Sequence, residues 1–188
     1  FYETFSDSTD EEDMRKFLAE TYSAEKLSAE LANSESVTFI AYKNGTPLGY
    51  LKLNIGNAQT EKCLDNALEI QRIYILKSAK GQGIGSAFMQ IAENFASEKK
   101  LSTIWLGVWE HNEPAKKFYK SKGYEKFSHH TFVIGDDMQT DFLLKKKFYD
   151  LGQNKRTAFK DCPKNVIWFK SKLCDDFAVN RTAKTCGI

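Results

Sequence analysis

The sequence predicts a mixed α/β fold, a sheet of about six or seven strands covered by helices. Three observations predict it. Segments of alternating apolar and polar residues give way to segments of helical spacing more than once along the chain. A glycine-spaced turn, Lys80-Gly81-Gln82-Gly83-Ile84-Gly85-Ser86, joins an apolar strand pattern to an amphipathic helix pattern. The 188 residues, 41% hydrophobic and 28% charged, suit a soluble domain built on one core.

The elements follow in order. Ser8-Thr9-Asp10-Glu11-Glu12 carries an N-cap and a capping-box carboxylate, and Met14, Phe17, Leu18 and Tyr22 recur at helical spacing behind it. Ser23-Ala24-Glu25-Lys26 repeats the start signal, so a second helix bearing Leu27 and Leu31 should run to about Asn33. From Val37 the period changes to two. Val37, Phe39 and Ala41 alternate with polar neighbours, Asn44-Gly45 supplies a tight turn, and Leu48 to Leu53 resumes the alternation as a β-hairpin. Gly56 to Asn66 reads as a loop. Leu68, Ile70, Ile73, Ile75 and Leu76 then form a central strand that ends at the glycine turn.

Beyond the turn, Ile84, Phe88, Ile91, Ala92 and Phe95 make one helical stripe ending near Lys99. Leu101 to Trp109 is a second central strand. Asn112-Glu113-Pro114 opens a further helix, carrying Ala115, Phe118 and Tyr119, that stops at Gly123. Tyr124 to Ile134 and Gln139 to Leu144 are two more strands, separated by Gly135-Asp136-Asp137. From Tyr149 to Ile188 the chain becomes polar and irregular, with no helix or strand pattern that the core would need.

Several function classes lose ground on composition. The formal charge is +2, basic and acidic residues interleave, and no helix-turn-helix pattern occurs, so nucleic acid is not an expected partner. No run approaches the roughly 20 apolar residues of a membrane span. The chain begins at Phe1 rather than Met, so a few residues are expected to precede it, and nothing in Phe1 to Asp10 resembles a signal peptide. A cytoplasmic protein is the expectation. Cys63, Cys162, Cys174 and Cys186 include no Cys-x-x-Cys pair, so no metal is expected.

The glycine turn points to a ligand class. Amides at a helix N-terminus are unpaired and carry the positive end of the helix dipole, and glycines there let a diphosphate approach without meeting a Cβ atom. Two rival motifs fit less well. A dinucleotide fold asks for Gly-x-Gly-x-x-Gly, but Ser86 stands where the third glycine belongs, and no Gly-Lys-Ser or Gly-Lys-Thr of a nucleotide P-loop is present.

Strand, glycine turn, helix, strand, then Asn112-x-x-Ala115-x-x-Phe118-Tyr119 resembles the GCN5-related N-acetyltransferases (GNAT) from about Phe5 to Lys147. Leu68-Glu-Ile-Gln-Arg-Ile-Tyr-Ile75, Ile104-Trp-Leu-Gly-Val-Trp-Glu110 and Asp136-Asp137-x-Gln139-Thr140-Asp141 are similar to the bacterial spermidine/spermine acetyltransferases, also described as negative regulators of protease synthesis and sporulation. The resemblance implies a mostly antiparallel sheet with about four flanking helices. It divides the chain into an acetyltransferase domain, 1–148, and a tail, 149–188, of unassigned role. It implies acetyl-CoA as cosubstrate. Ile73, Tyr74 and Ile75 would offer backbone groups to the pantetheine arm, Lys80, Gly81, Gln82, Gly83, Ile84, Gly85 and Ser86 would hold the diphosphate, and Asn112 and Tyr119 would flank the thioester. Lys80 departs from the Arg or Gln that usually opens the motif, which keeps a positive charge but not a bidentate fork.

Catalytic roles follow from the same resemblance. Tyr119, protonated at neutral pH, would give a proton to the departing CoA thiolate; spacing alone favours a core aromatic, and the resemblance reverses this. Relatives often carry Glu at the position of Gln71, and Gln cannot take the substrate's proton. Glu69, acting through a water chain, is therefore the candidate base, with an exposed or salt-bridged strand carboxylate as the bland alternative. His111 is left outside the catalytic set. With no cysteine in the motif core, direct attack is expected rather than a covalent enzyme intermediate.

The acceptor is expected to be a primary amine of spermidine or spermine, drawn by Asp10 to Asp13, Glu69, Asp136, Asp137 and Asp141, although helix-terminal solvation also accounts for Asp10 to Asp13. Two alternatives stand beside it, a protein N-terminus or lysine as acceptor and a non-catalytic acetyl-CoA-sensing module. A homodimer is left open.

Overall fold

The computed structural model describes residues 10–134, 137–147 and 167–170. Along the chain the elements are α1 (Glu11–Thr21), α2 (Ala24–Ala32), β1 (Ser36–Lys43), β2 (Thr46–Asn54), β3 (Ala67–Ile75), α3 (Ile84–Glu98), β4 (Thr103–Trp109), α4 (Glu113–Ser121), β5 (Glu125–Ile134), β6 (Asp137–Lys147) and β7 (Ile167–Lys170). They fall in two compact units, Phe1–Ala32 with Trp105–Lys146 and Asn33–Ile104 with Lys147–Ile188. Strand order is β5-β6-β4 in the first unit and β3-β2-β1-β7 in the second, with β4 running from the second into the first. The pairs β1/β2, β2/β3, β1/β7 and β5/β6 are antiparallel. The mixed α/β architecture is thus as expected, with seven strands and four α-helices among the described residues. Among those residues no helix is long and apolar enough to cross a membrane.

In the second unit the hairpin β1–β2 turns on Asn44 (φ 52°) and Gly45 (φ 78°), the paired left-handed conformations of a type I′ turn. Its inward residues Ala41, Leu51 and Leu53 are fully buried with Leu68 and Ile70 of β3. Helix α3 packs on β3 and β2 with the stripe Ile84, Phe88, Ile91, Ala92 and Phe95, whose burial removes large apolar side chains from water at about 1.5–3 kcal/mol each. Two register shifts punctuate this ladder. One, between Ala41 and Tyr42, leaves Leu48 as an extra residue between Pro47 and Gly49. The other, between Lys52 and Leu53, leaves Gln71 as the extra residue of a β-bulge.

In the first unit α1 begins at Asp10, whose carboxylate accepts from the amides of Glu12 (2.9 Å) and Asp13 (3.4 Å). Met14, 1% exposed, is packed by Phe17, Leu18 and Trp109. α1 also lies against β5.

Several strand boundaries shift by about two residues from those expected, and two differences are larger. β6 continues past Leu144 to Lys147, because Lys145 sits opposite Glu125 on β5 and charges of opposite sign support a strand where no apolar period does. The expectation that 149–188 holds no strand is corrected: Ile167–Lys170 forms β7, pairing Phe39 with Lys170 and Tyr42 with Ile167. Four residues are too short to show a period, so the pattern of the tail hid them. Asp136, Cys162, Cys174 and Cys186 lie outside the described residues.

Candidate active site

The glycine turn lies in the second unit. β3 closes with the Leu76 amide donating to the Leu48 carbonyl (2.9 Å), and a short 3-10 turn, Lys77–Ala79, leads into exposed Lys80. Gly81 and Gly83 then adopt φ of 76° and 81°, the left-handed region where a Cβ is penalised. Gly83 is the N-cap of α3 and has no side chain to cap it. Its carbonyl accepts from Ala87 (3.0 Å), which leaves the amides of Ile84, Gly85 and Ser86 ahead of the first helical bond. The Gln82 side chain donates to the Ser78 carbonyl (3.0 Å), a bond within the turn itself. A Cβ built on Gly81 would meet nothing within 4 Å, so the turn is open as well as left-handed. This arrangement fits a diphosphate.

Strand β3 supplies the neighbouring wall. Ile73, Tyr74 and Ile75 are half-buried and pair with Leu51, Tyr50 and Gly49 of β2. A Cβ on Gly49 would stand 2.4 Å from the Tyr74 carbonyl oxygen, so only glycine allows β2 to lie this close to that strand. The Tyr50 and Tyr74 rings pack at 5.4 Å.

Glu69, also on β3, is 3% exposed, so it is not an exposed strand carboxylate. Its Oε2 accepts from the Thr60 amide (2.9 Å) and from Asn54 Nδ2 (3.0 Å), and its Oε1 accepts from the Thr60 hydroxyl. Asn54 Nδ2 also reaches Gln71 Oε1 (3.1 Å), and Asn54 Oδ1 accepts from the Ser36 hydroxyl (2.7 Å). Glu69 and Gln71 do share a face, as alternation suggested, but they share it around Asn54. Ser36, Asn54 and Thr60 were missed by the sequence reading. No motif marks them, because the contacts join a strand to a loop residue nine positions away and to a second strand.

The remaining predicted residues lie in the first unit. Asn112 caps α4, its Oδ1 accepting from the Ala115 amide (3.2 Å). The turn before α4 is fastened by Lys116, which bonds the Glu110 carbonyl and lies 2.6 Å from Glu113, holding the exposed Glu113 carboxyl below its ordinary value. Tyr119, 6% exposed, packs on Phe118 (5.4 Å) and Tyr124 (6.1 Å). Desolvation pushes its phenol above the usual value, so it stays protonated throughout the neutral range. Exposed His111 stands edge-on to Trp109 at 5.2 Å. Of the acidic residues, Asp10 is committed to the α1 cap. Asp141 lies beside Gly107, where an added Cβ would be 3.2 Å from its Oδ2, and that same oxygen is 3.9 Å from His130.

The family profile described as "Acetyltransferase (GNAT) family" matches residues 1–124. A Lactobacillus delbrueckii subsp. lactis protein named as an uncharacterized N-acetyltransferase in the pepI 3′ region is 48% identical over 146 residues, 78% of this chain and 84% of that protein. A spermidine N(1)-acetyltransferase of Thermoplasma acidophilum is 26% identical over 77% of this chain and 83% of its own length. Among solved structures, the PaiA N-acetyltransferase of Thermoplasma acidophilum in complex with coenzyme A superimposes with a TM-score of 0.62 at 24% identity, covering 78% of this chain and 85% of that one, a likeness of fold. The chain belongs to the GNAT family and is an N-acetyltransferase with acetyl-CoA as its acetyl donor.

Proposed function

We propose that this enzyme acetylates a primary amine of a polyamine, spermidine or spermine, by direct attack of the amine. Bound acetyl-CoA supplies the thioester carbonyl that is attacked. The observation that carries the donor half of the reading is the pair of left-handed glycines ahead of α3, which leave three amides of the first turn open to a diphosphate. Lys80 adds a compensating charge, and the Ile73–Ile75 backbone offers hydrogen bonds to the pantetheine arm. Asn112 and Tyr119 serve the thioester end. Tyr119, kept neutral by burial, protonates the departing thiolate sulfur. Glu69 receives the proton that the substrate ammonium must lose before its nitrogen can attack. Residues 1–148 are read as the catalytic domain, and the reaction needs no metal.

The polyamine reading is supported by the Thermoplasma acidophilum relative named a spermidine N(1)-acetyltransferase. The half-buried Asp141 carboxylate beside the Gly107 notch adds a negative charge suited to an organic cation. CoA release should be followed with acetyl-CoA against spermidine, spermine, simple amines and lysine-containing peptides. Spermidine or spermine should give the highest kcat/KM. A clear peptide preference would overturn the polyamine assignment and leave the acetyl transfer standing.

A further inference from the structure

We propose that the Thr60 hydroxyl is the port by which a proton reaches Glu69, an inference that rests on the acetyl-transfer reading above. Glu69 is nearly sealed from solvent, whereas Thr60 is exposed. From solvent, Thr60 is reached before the carboxylate.

The two carboxylate oxygens are unequal. Oε2 is filled by two N–H donors, the Thr60 amide at 2.9 Å and Asn54 Nδ2 at 3.0 Å, and amide protons do not leave in the range where a protein stays folded. Oε1 faces the Thr60 hydroxyl, whose oxygen can accept one proton from outside while it releases another inward. A carboxylate can only accept here, so the hydroxyl is already pointed as a donor.

The other amides are locked into the same direction. The Glu69 carboxylate can only accept, so the NH2 of Asn54 faces it; Asn54 Oδ1 is then left to take the Ser36 hydroxyl (2.7 Å), and the second hydrogen of the NH2 goes to Gln71 Oε1 (3.1 Å). Gln71 Oε1 thus accepts from Asn54, and its neutral amide is too weak a base to take the substrate's proton. Charged groups along this stretch are Glu61 and Lys62, which follow Thr60 directly, Lys52 and Arg72, which face each other across β2 and β3, and Glu35, which accepts from the Asn57 amide (2.9 Å) in the loop that also carries Thr60.

The transfer balances. An N–H bond of the ammonium breaks as an O–H bond forms on Thr60 Oγ1, and the original Thr60 O–H bond breaks as one forms on Glu69 Oε1. The products are a neutral amine, a neutral carboxylic acid and an unchanged hydroxyl. Reversal of the path after product release returns the proton to water.

Thr60→Val keeps the side-chain shape and the backbone bond to Glu69 while deleting the hydroxyl, and Thr60→Ser restores it. Initial rates with spermidine between about pH 7 and pH 10, together with acetyl-CoA affinity, test the port. Thr60→Val should lower kcat on the order of 10²-fold at neutral pH. The deficit should narrow toward about pH 10, as the amine begins to lose its proton to water unaided. Acetyl-CoA affinity should hold, and Thr60→Ser should recover most of the rate. A Thr60→Val enzyme matching wild type overturns the port, as does a deficit that is constant with pH and not recovered by Ser. Wild type inactive on every amine overturns the acetyl-transfer reading itself, and the port with it.

Discussion

The indole Nε1–H of Trp109 donates to Oε1 of Gln139 at 2.5 Å, linking the end of β4 to β6 where the same indole packs on Met14. Gln139 is 8% exposed, so the bond is made largely out of water. Gln139→Leu deletes the acceptor without deleting much volume and should cost about 1–3 kcal/mol of stability. Urea denaturation measures it, and an unchanged midpoint would show that the bond contributes nothing net.

Gly83→Ala places a Cβ on a residue at φ 81° that caps α3. The left-handed conformation costs an alanine about 1–2 kcal/mol, and relaxation of the turn would reorient the amides behind it. Calorimetric titration should show acetyl-CoA bound roughly tenfold more weakly or worse, the equivalent of about 1.4 kcal/mol. Affinity equal to wild type would detach the turn from the diphosphate.

Gly49→Ala tests crowding rather than conformation. Its new methyl would lie 2.4 Å from the Tyr74 carbonyl oxygen, so β2 and β3 must separate. Overpacking of this kind costs about 1–3 kcal/mol, and the displaced backbone is the Ile73–Ile75 segment. Melting temperature and acetyl-CoA affinity should fall together; a drop in one alone would separate the strand pair from the cofactor.

Tyr119→Phe should lower kcat on the order of 10²-fold with acetyl-CoA affinity nearly intact. The same variant carries a pH signature. Burial raises the phenol pKa of the folded state above its unfolded value near 10, so the native chain holds a proton that the unfolded chain loses. The resulting stabilisation is complete below about pH 10 and is lost as pH rises through the folded value. Wild type should therefore lose stability more steeply than Tyr119→Phe above about pH 10, as denaturation at graded pH would show. Parallel curves would mean that the phenol titrates normally.

Much of the architecture was legible because its signals are local. The period-two hairpin, the paired positive-φ residues at Asn44 and Gly45, the stripe from Ile84 to Phe95 and the cap at Asn112 each depend on neighbours a few positions apart. The Gln71 bulge was not legible, since an extra residue in a ladder is defined only against the partner strand. Nor was the setting of Glu69. Its burial depends on Thr60 and Asn54, which arrive from a loop and another strand and leave no spacing to recognise. Tyr119 falls between these cases, since helical spacing put it on the apolar face of α4 but could not distinguish a core aromatic from a proton donor.

Strand β7 bears on how copies of this chain can meet. A strand at the margin of a sheet has one row of amides and carbonyls left over, and that row invites a stranger to extend the sheet. β1 has no such vacancy over Phe39–Tyr42, because the chain's own residues 167–170 saturate it. A second molecule seeking to add itself there must first evict a strand already tethered to the same polypeptide, at a local concentration no free competitor matches. Over those positions the margin of the sheet is therefore β7 rather than β1.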